Sequence, residues 1–442
     1  MTERLKRGSH LRRILSNICW MLFDKVFILF INLVVTVRIA NYYGSQGYGV
    51  YQYAVSIVAV FEILVCFVDA RVVKKRYISE NAGELVWNAT ITRLLFSVLS
   101  LIAGIIYLCF CKESNEYYVI FLVLLVNAVI INLRFGMWNR YEYLLKSKKI
   151  VVAANIALAL GGGLQLVAVS LHLSIIAIAV ITAISSFVSL VIVYFQYRKD
   201  YGRLIQGKFN KSLVEGLIRE SLPLAVAASC AIIYSRCDSI MIGNMMTKEQ
   251  VGIYAIAVKL ISLVQIALVP IRESVFPKLV ETYKKDHRLY EQMYIQITAI
   301  LTWVYVAIVV LSFLLFPIAI RILKPEYADA YPVFQIYVIG TFFMYNAGLR
   351  AGHYTLINRG SVLMYSQIVS VFFNIVLNYI LIKQFGVFGA AVATGITQCI
   401  SLMISNLFFG KQGKQVFIWQ LKSLNPWYIL SDRHILFRHK SK

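Results

Sequence analysis

IVVAANIALALGGGLQLVAVSLHLSIIAIAVITAISSFVSLVIVYFQY, residues 150–197, contains no aspartate, glutamate, lysine or arginine. It is more than twice the roughly 20 apolar residues that an α-helix needs to cross a hydrocarbon core, and it reads as two membrane spans, 150–171 and 174–197. Outward from it the same pattern repeats at 14–38, 48–69, 88–110 and 117–135, then at 221–243, 252–275, 293–316, 333–357, 361–382 and 388–410. Composition agrees, with 60% of the 442 residues hydrophobic and only 15% charged. The fold class is an all-α polytopic membrane protein of about 12 transmembrane helices.

Basic residues test that count. The segments that an even number of spans places together with the termini hold 34 lysines and arginines, and the opposite loops hold 6: Arg38, Lys112, Lys248, Arg321, Lys324 and Lys383. This is the positive-inside bias, so both termini are expected on the cytoplasmic side of the membrane. Alternating loops also account for the net charge of +23 without nucleic acid, which would attract a basic patch on one face. The basic start MTERLKRGSHLRR precedes an apolar run that Asp24 and Lys25 interrupt, with no small-x-small site after it. It reads as a retained first span rather than a cleaved leader. The cysteines lie mostly inside spans, lack C-x-x-C or His-paired metal spacing, and read as packing residues.

The longest polar internal connection, 198–220, divides the chain. The expected organisation is a basic cytoplasmic N-terminus (1–13), a six-helix bundle (14–197), a cytoplasmic linker (198–220), a second six-helix bundle (221–410) and a basic cytoplasmic tail (411–442) read as solvated. Pro223 is placed to open the seventh helix. Across the divide Gly49-Val50-Tyr51-x-x-Ala54-Val55 matches Gly252-Ile253-Tyr254-x-x-Ala257-Val258 at an offset of 203 residues. The two copies occupy equivalent places, which points to pseudo-symmetric bundles of parallel orientation.

Charges inside spans cost about 2.5–3.5 kcal/mol each at a helix centre on insertion scales, so they mark function. Span 1 carries Asp24 and Lys25, with Arg38 at its outer end. Glu62 lies in span 2, Arg93 in span 3, Arg236 and Asp238 in span 7, and Lys259 in span 8. Such groups belong in a wet cavity between bundles, and Asp24, Lys25, Arg38, Arg236, Asp238 and Lys259 are the candidate substrate-binding set. Asp24, Glu62 and His353, near the inner end of span 10, are the candidates for ion or proton coupling. Each has a plainer reading. Asp24 and Lys25 can pair with neighbours, Glu62 can be structural, and Lys259 and Arg93 can snorkel. Arg236 and Asp238 point to nearly opposite helix faces, so at most one lines a cavity centrally while the other packs against span 8 or 11. Asn374 and Asn378, one turn apart, read as amides tying span 11 to a neighbour.

No G-x-x-x-x-G-K-[ST], H-E-x-x-H or exposed G-x-S-x-G motif is present. No cofactor, metal or enzymatic activity is expected, and the outer loops leave no room for a catalytic domain.

The segment Asn41-Tyr-Tyr-Gly-Ser-Gln-Gly-Tyr-Gly-Val-Tyr51 resembles the outer turn and second-span start of polysaccharide-exporting flippases, the Wzx or O-antigen transporter family. Cys237-Asp238-Ser-Ile-Met-Ile-Gly243 and Val251-Gly-Ile-Tyr-Ala-Ile-Ala-Val-Lys259 resemble its spans 7 and 8, and Phe276-Pro277-Lys278 the turn that follows. Asn374-Ile-Val-Leu-Asn-Tyr-Ile-Leu-Ile382 with Phe385-Gly-Val-Phe-Gly-Ala-Ala-Val-Ala-Thr394 resembles spans 11 and 12. The order and spacing are those of the multidrug/oligosaccharidyl-lipid/polysaccharide (MOP, MATE-like) exporter superfamily.

That resemblance implies two six-helix bundles around a central cavity, alternating access, and a cargo of undecaprenyl-diphosphate-linked oligosaccharide carried between leaflets. The cargo is an O-antigen, capsule or exopolysaccharide repeat unit destined for surface polysaccharide such as lipopolysaccharide. A glycan polymerase and a chain-length regulator are implied partners, besides membrane lipid. Lys25, Arg38, Arg236 and Lys259 would meet the diphosphate or an acidic sugar, and related lipid II flippases also place charges on the first and eighth spans. Lysine in place of arginine weakens the case for a bidentate phosphate grip. Two other readings are a cation-coupled multidrug exporter, which wants an acidic rather than a basic cavity, and a membrane-embedded glycan polymerase or ligase, which wants a long outer loop.

Overall fold

The computed structural model describes the backbone of residues 2–203, 208–265 and 268–430; side chains at 2–27, 30, 268–271, 273, 274, 319 and 430 are not among those described. In chain order the helices are α1 (Thr2–Phe61), α2 (Ala70–Arg76), α3 (Ala82–Phe110), α4 (Asn115–Leu133), α5 (Phe135–Tyr143), α6 (Ser147–Ser170) and α7 (Ile175–Tyr201). There follow α8 (Lys211–Met245), α9 (Lys248–Gln265), α10 (Leu268–Lys285), α11 (His287–Ile320), α12 (Ala330–Gly340), α13 (Phe342–Asn346), α14 (Arg350–Leu356), α15 (Gly360–Leu402), α16 (Gly410–Lys422) and α17 (Trp427–Leu430).

Among the described residues, eight helical stretches are long and apolar enough to cross a membrane. Two of them hold two crossings each, because the chain reverses at a glycine. Gly386 has φ 59°, a left-handed conformation that glycine adopts without penalty. Beyond it the chain doubles back so tightly that a Cβ on Gly389 would stand 2.0 Å from the Leu381 carbonyl oxygen; in a straight helix those residues would be about 12 Å apart. Gly44 breaks α1 in the same way at φ 71°. With α9 and the broken crossing α12–α14, the total reaches twelve, arranged as a multi-pass helical membrane protein.

Three local expectations are corrected. Pro223 does not open a helix: it lies inside α8, whose first turn is capped by Asn210, with its side-chain oxygen accepting from the Leu213 amide at 3.1 Å. The connection 198–220 is correspondingly mostly helix. Leu213 and Leu217 are buried with Val68, Val72, Val73 and Leu85 of the first bundle, and Arg76 pairs with Glu220 at 2.7 Å. That Arg76 hydrogen bond holds the Glu220 carboxyl below its ordinary range. The segment reads as a linker because its apolar residues are few, yet the i, i+4 pair of leucines is what docks it.

The tail is also not wholly solvated. α16 buries Gly413, Val416, Trp419 and Gln420, and Trp419 packs on Tyr294 with ring centroids 4.8 Å apart. Residues 431–442 lie outside the described residues. Trp419→Ala is expected to cost about 3–5 kcal/mol locally and to release α16, read as loss of hydrogen-exchange protection over 410–422 while the transmembrane helices stay protected.

Candidate functional site

A chamber of about 870 Å³ lies between the bundles. Residues on both sides of the Gly44 reversal line it at matching depths: Ile39 with Tyr48, Val35 with Gln52, and Ile31 with Val55. This is the arrangement of a hairpin whose two arms face one space. Apart from Arg134, the first bundle's wall is neutral and hydrogen-bonding. Thr182, Ser185, Ser186 and Ser189 of α7 recur at i, i+3, i+4 and i+7 and so share one helix face. Gln165 donates to the Thr182 hydroxyl at 3.0 Å, and Arg134 donates to the Ser189 hydroxyl at 2.5 Å.

The opposite wall is cationic. Arg236 of α8 and Lys259 of α9 both line the chamber, and the charged neighbour of Lys259 is Arg236 itself. Neither has a carboxylate at ion-pair distance among the described residues; Glu62 is only a longer-range electrostatic neighbour of Arg236. Two like charges in a low-dielectric recess are mutually unfavourable, and an arriving anion relieves both.

Asp238 does not neutralise them. Although it borders the chamber, it is buried, and its carboxylate accepts from Tyr254, from Thr394 at 2.7 Å, from Asn378 at 2.6 Å and from Asn374 at 3.3 Å. One carboxylate thereby ties α8 to α9 and to both arms of α15. The two residues of the Arg236–Asp238 pair thus have different fates: Arg236 lines the chamber with no ion-pair partner among the described residues, and Asp238 is bound into the helix packing.

The other candidates are scattered. Asp24 and Lys25 fall within α1, but their side chains lie outside the described residues. Arg38 is exposed and is not part of the chamber wall. Glu62 opens the turn Glu62–Phe67, half-buried, with Arg93 and Arg236 as its electrostatic neighbours. His353 is buried away from the chamber, its Nδ1 2.7 Å from the Tyr290 hydroxyl and its ring beside Trp419. Arg93 does not snorkel: it bonds Asn132 at 2.8 Å and the Val68 carbonyl at 3.0 Å while stacking on Phe135, clamping three helices together. Sequence reasoning missed Arg134 and the α7 hydroxyl face. The i, i+3, i+4, i+7 spacing of the latter is legible in the sequence, whereas Arg134, at the end of the span 117–135, looks like an ordinary positive-inside charge. Among the described residues no three His, Cys, Asp or Glu side chains gather as metal ligands.

At the end of the chamber beside the Gly44 reversal, the two copies of the internal repeat close against each other. A Cβ on Gly49 would fall 1.7 Å from the Lys248 carbonyl oxygen, and one on Gly252 would fall 2.2 Å from that of Ser45. Residues 45 and 49 stand to 248 and 252 at the same offset of 203, so the contact is reciprocal about a pseudo-two-fold axis. Around it Ser45 donates its amide to Glu326 at 3.1 Å, Asn41 donates to the Ile322 carbonyl at 2.6 Å, and Tyr53 donates to Asn244 at 2.6 Å. Lys248 pairs with Glu113 at 2.8 Å and sits 3.3 Å from the centre of the Tyr53 ring.

Comparison with known proteins matches this architecture. Residues 14–283 fit the family described as polysaccharide biosynthesis protein. A protein of Shigella dysenteriae named as an O-antigen transporter is 26% identical over 220 residues, 48% of this chain. The chain spans about half the length of that relative, 54%. Among solved structures, the lipid II flippase MurJ in an inward closed conformation superposes with a TM-score of 0.69 at 15% identity, covering 94% of this chain and 96% of that one. An inward-facing multidrug resistance MATE family transporter of the MOP superfamily gives 0.68 at 12% identity, covering 88% and 94%. An outward-facing MATE transporter of that superfamily gives 0.57 at 15% identity, covering 90% and 96%. These named relatives are transporters and flippases, not enzymes. The chain belongs to the polysaccharide biosynthesis protein family and has the two-bundle fold of the MOP superfamily exporters.

Proposed function

We propose that the protein flips an undecaprenyl-diphosphate-linked oligosaccharide, an O-antigen or capsule/exopolysaccharide repeat unit, across the bacterial cytoplasmic membrane by alternating access, with both termini cytoplasmic. The observation that carries this reading is the pair of cations Arg236 and Lys259, which have no carboxylate at ion-pair distance among the described residues and face a wall of hydroxyls and amides. A diphosphate or acidic sugar replaces its lost water with those cations, and neutral sugar hydroxyls exchange hydrogen bonds with Gln165 and the α7 serines. A cationic drug would be repelled from the same recess. Ion or proton coupling is assigned to Asp24, Glu62 or His353. Of these Glu62 has the strongest support, because it is the acidic neighbour of Arg236 and an arriving anion competes with it. The glycan polymerase and the chain-length regulator are the partners that would receive such a cargo.

Arg236→Gln and Lys259→Gln are each expected to lower surface glycan about 10-fold, the effect of one lost charge-assisted contact, and together to abolish it. Membrane insertion and cationic-drug sensitivity should be unchanged. Normal glycan in the double variant rejects the reading.

A further inference from the structure

Helix α7 has two chemically opposite faces. Thr182, Ser185, Ser186 and Ser189 face the chamber. Val180, Ala183, Ile184 and Phe187 repeat the same spacing two residues earlier, which puts them on the far side of the helix. Together with Leu122, Val123, Val126 and Ile130 of α4 these residues line a second recess of about 410 Å³ whose lining residues are all apolar. Leu122, Val126, Val180, Ile184 and Phe187 are exposed within it.

Apolar surface toward lipid is ordinary for a membrane helix; what distinguishes this recess is what stands at its end. Arg134 follows Ile130 by four residues, one helical turn further along the α4 stripe. Its guanidinium reaches across to Ser189 at 2.5 Å and rests on Trp138. It has no carboxylate partner at ion-pair distance among the described residues and is itself part of the chamber wall. A partly buried cation thus stands on the chamber wall one helical turn beyond the last α4 residue of the apolar groove.

We propose that the α4–α7 groove holds the first isoprene units of a polyprenyl diphosphate, with Arg134 gripping the diphosphate and the sugar passing to the hydroxyl face of α7. The groove runs about 12 Å from Leu122 to Ile130, enough for two or three isoprene units, while the remaining tail stays in the bilayer. Helix α7 acts as a divider between the parts of an amphiphile, and Arg134 is the loading position from which the headgroup moves inward to Arg236 and Lys259. This rests on the flippase reading for its cargo but names a separate site.

The test is photolabelling of the full-length protein in proteoliposomes with a polyprenyl diphosphate carrying a diazirine on its second isoprene unit. Labelled peptides are expected to cover residues 122–130 and 180–187, unlabelled polyprenyl diphosphate should compete, and Arg134→Gln should lower the yield about 10-fold. Ala183→Trp, which fills the groove, should remove labelling, and should it misfold the wild-type map decides alone. Labelling elsewhere, or equal competition by phosphatidylglycerol, overturns the site. A protein that exports glycan without labelling here refutes the groove alone; one that labels here but exports nothing refutes the flippase reading alone.

Discussion

Gly252→Val is expected to stop glycan export while the protein accumulates and inserts normally. The contact it disturbs has no slack: even the first carbon of a side chain at 252 would lie 2.2 Å from the Ser45 carbonyl oxygen, well inside van der Waals contact. Backbone meets backbone there, so no flexible side chain can yield. The strain falls on one conformation, the state in which the Gly44 reversal of α1 and the first turn of α9 touch, and is relieved when they part. Overpacking of this kind costs about 1–3 kcal/mol or more, enough to shift a balanced two-state equilibrium by about 10- to 100-fold. The variant should therefore rest outward-open. In a background without Cys109 and Cys111, a cysteine placed at Ser45 should react with a membrane-impermeant maleimide from outside, slowly in the parent and at least 10-fold faster with Gly252→Val. Gly49→Val should behave alike, since its own Cβ would meet the Lys248 carbonyl. Gly163→Val, with open space around its Cβ, should export normally. Normal export by Gly252→Val would show that outer closure is not part of the cycle.

The crossings were legible because a bilayer imposes one rule on every span: each must be apolar along nearly its whole length. That rule says nothing about polar helices at the membrane surface. The first turns of α8 and the whole of α16 carry a few apolar anchors, Leu213 and Leu217 in one and Val416 and Trp419 in the other. Against a basic background these read as linker and tail. The repeat at residues 49 and 252 was visible as similarity, but that its two copies touch follows only from the three-dimensional pseudo-symmetry.

The site was legible in part for the same reason. Arg236 and Lys259 stand out because a lone cation inside an apolar span has to be explained. Arg134 does not stand out, because a cation at the end of a span looks like every other residue that obeys the positive-inside bias. Its bond to Ser189, its stacking on Trp138 and its place in the chamber wall separate it from the surface arginines. Arg38 errs the other way: it lies on the right helix but at an exposed position. Helix membership could be read from the sequence, whereas the direction of a side chain depends on how the bundles meet.

Asp238→Ala should destabilise the second bundle by about 3–5 kcal/mol, measured as a fall in denaturation midpoint in detergent. Removing the carboxylate strips the acceptor from Tyr254, Thr394, Asn378 and Asn374 at once. Each buried donor left without a partner costs about 1–3 kcal/mol, less than additively where neighbours re-pair. Asp238→Asn separates that structural demand from the charge. Its oxygen can keep the Asn374 and Asn378 donors, while the Tyr254 and Thr394 hydroxyls rotate to accept from its amide. Asp238→Asn should therefore fold to nearly parental stability. If Asp238 serves the packing alone, export should also survive. If its negative charge holds down the field around Arg236 and Lys259, the variant should bind an anionic headgroup more tightly and release it more slowly, giving a lower export rate at saturating cargo. The geometry favours the first outcome. Both carboxylate oxygens accept two hydrogen bonds from donors of α9 and α15, which hold Asp238 in the helix packing, while Arg134, Arg236 and Lys259 outnumber it on the described chamber wall and leave that wall positive.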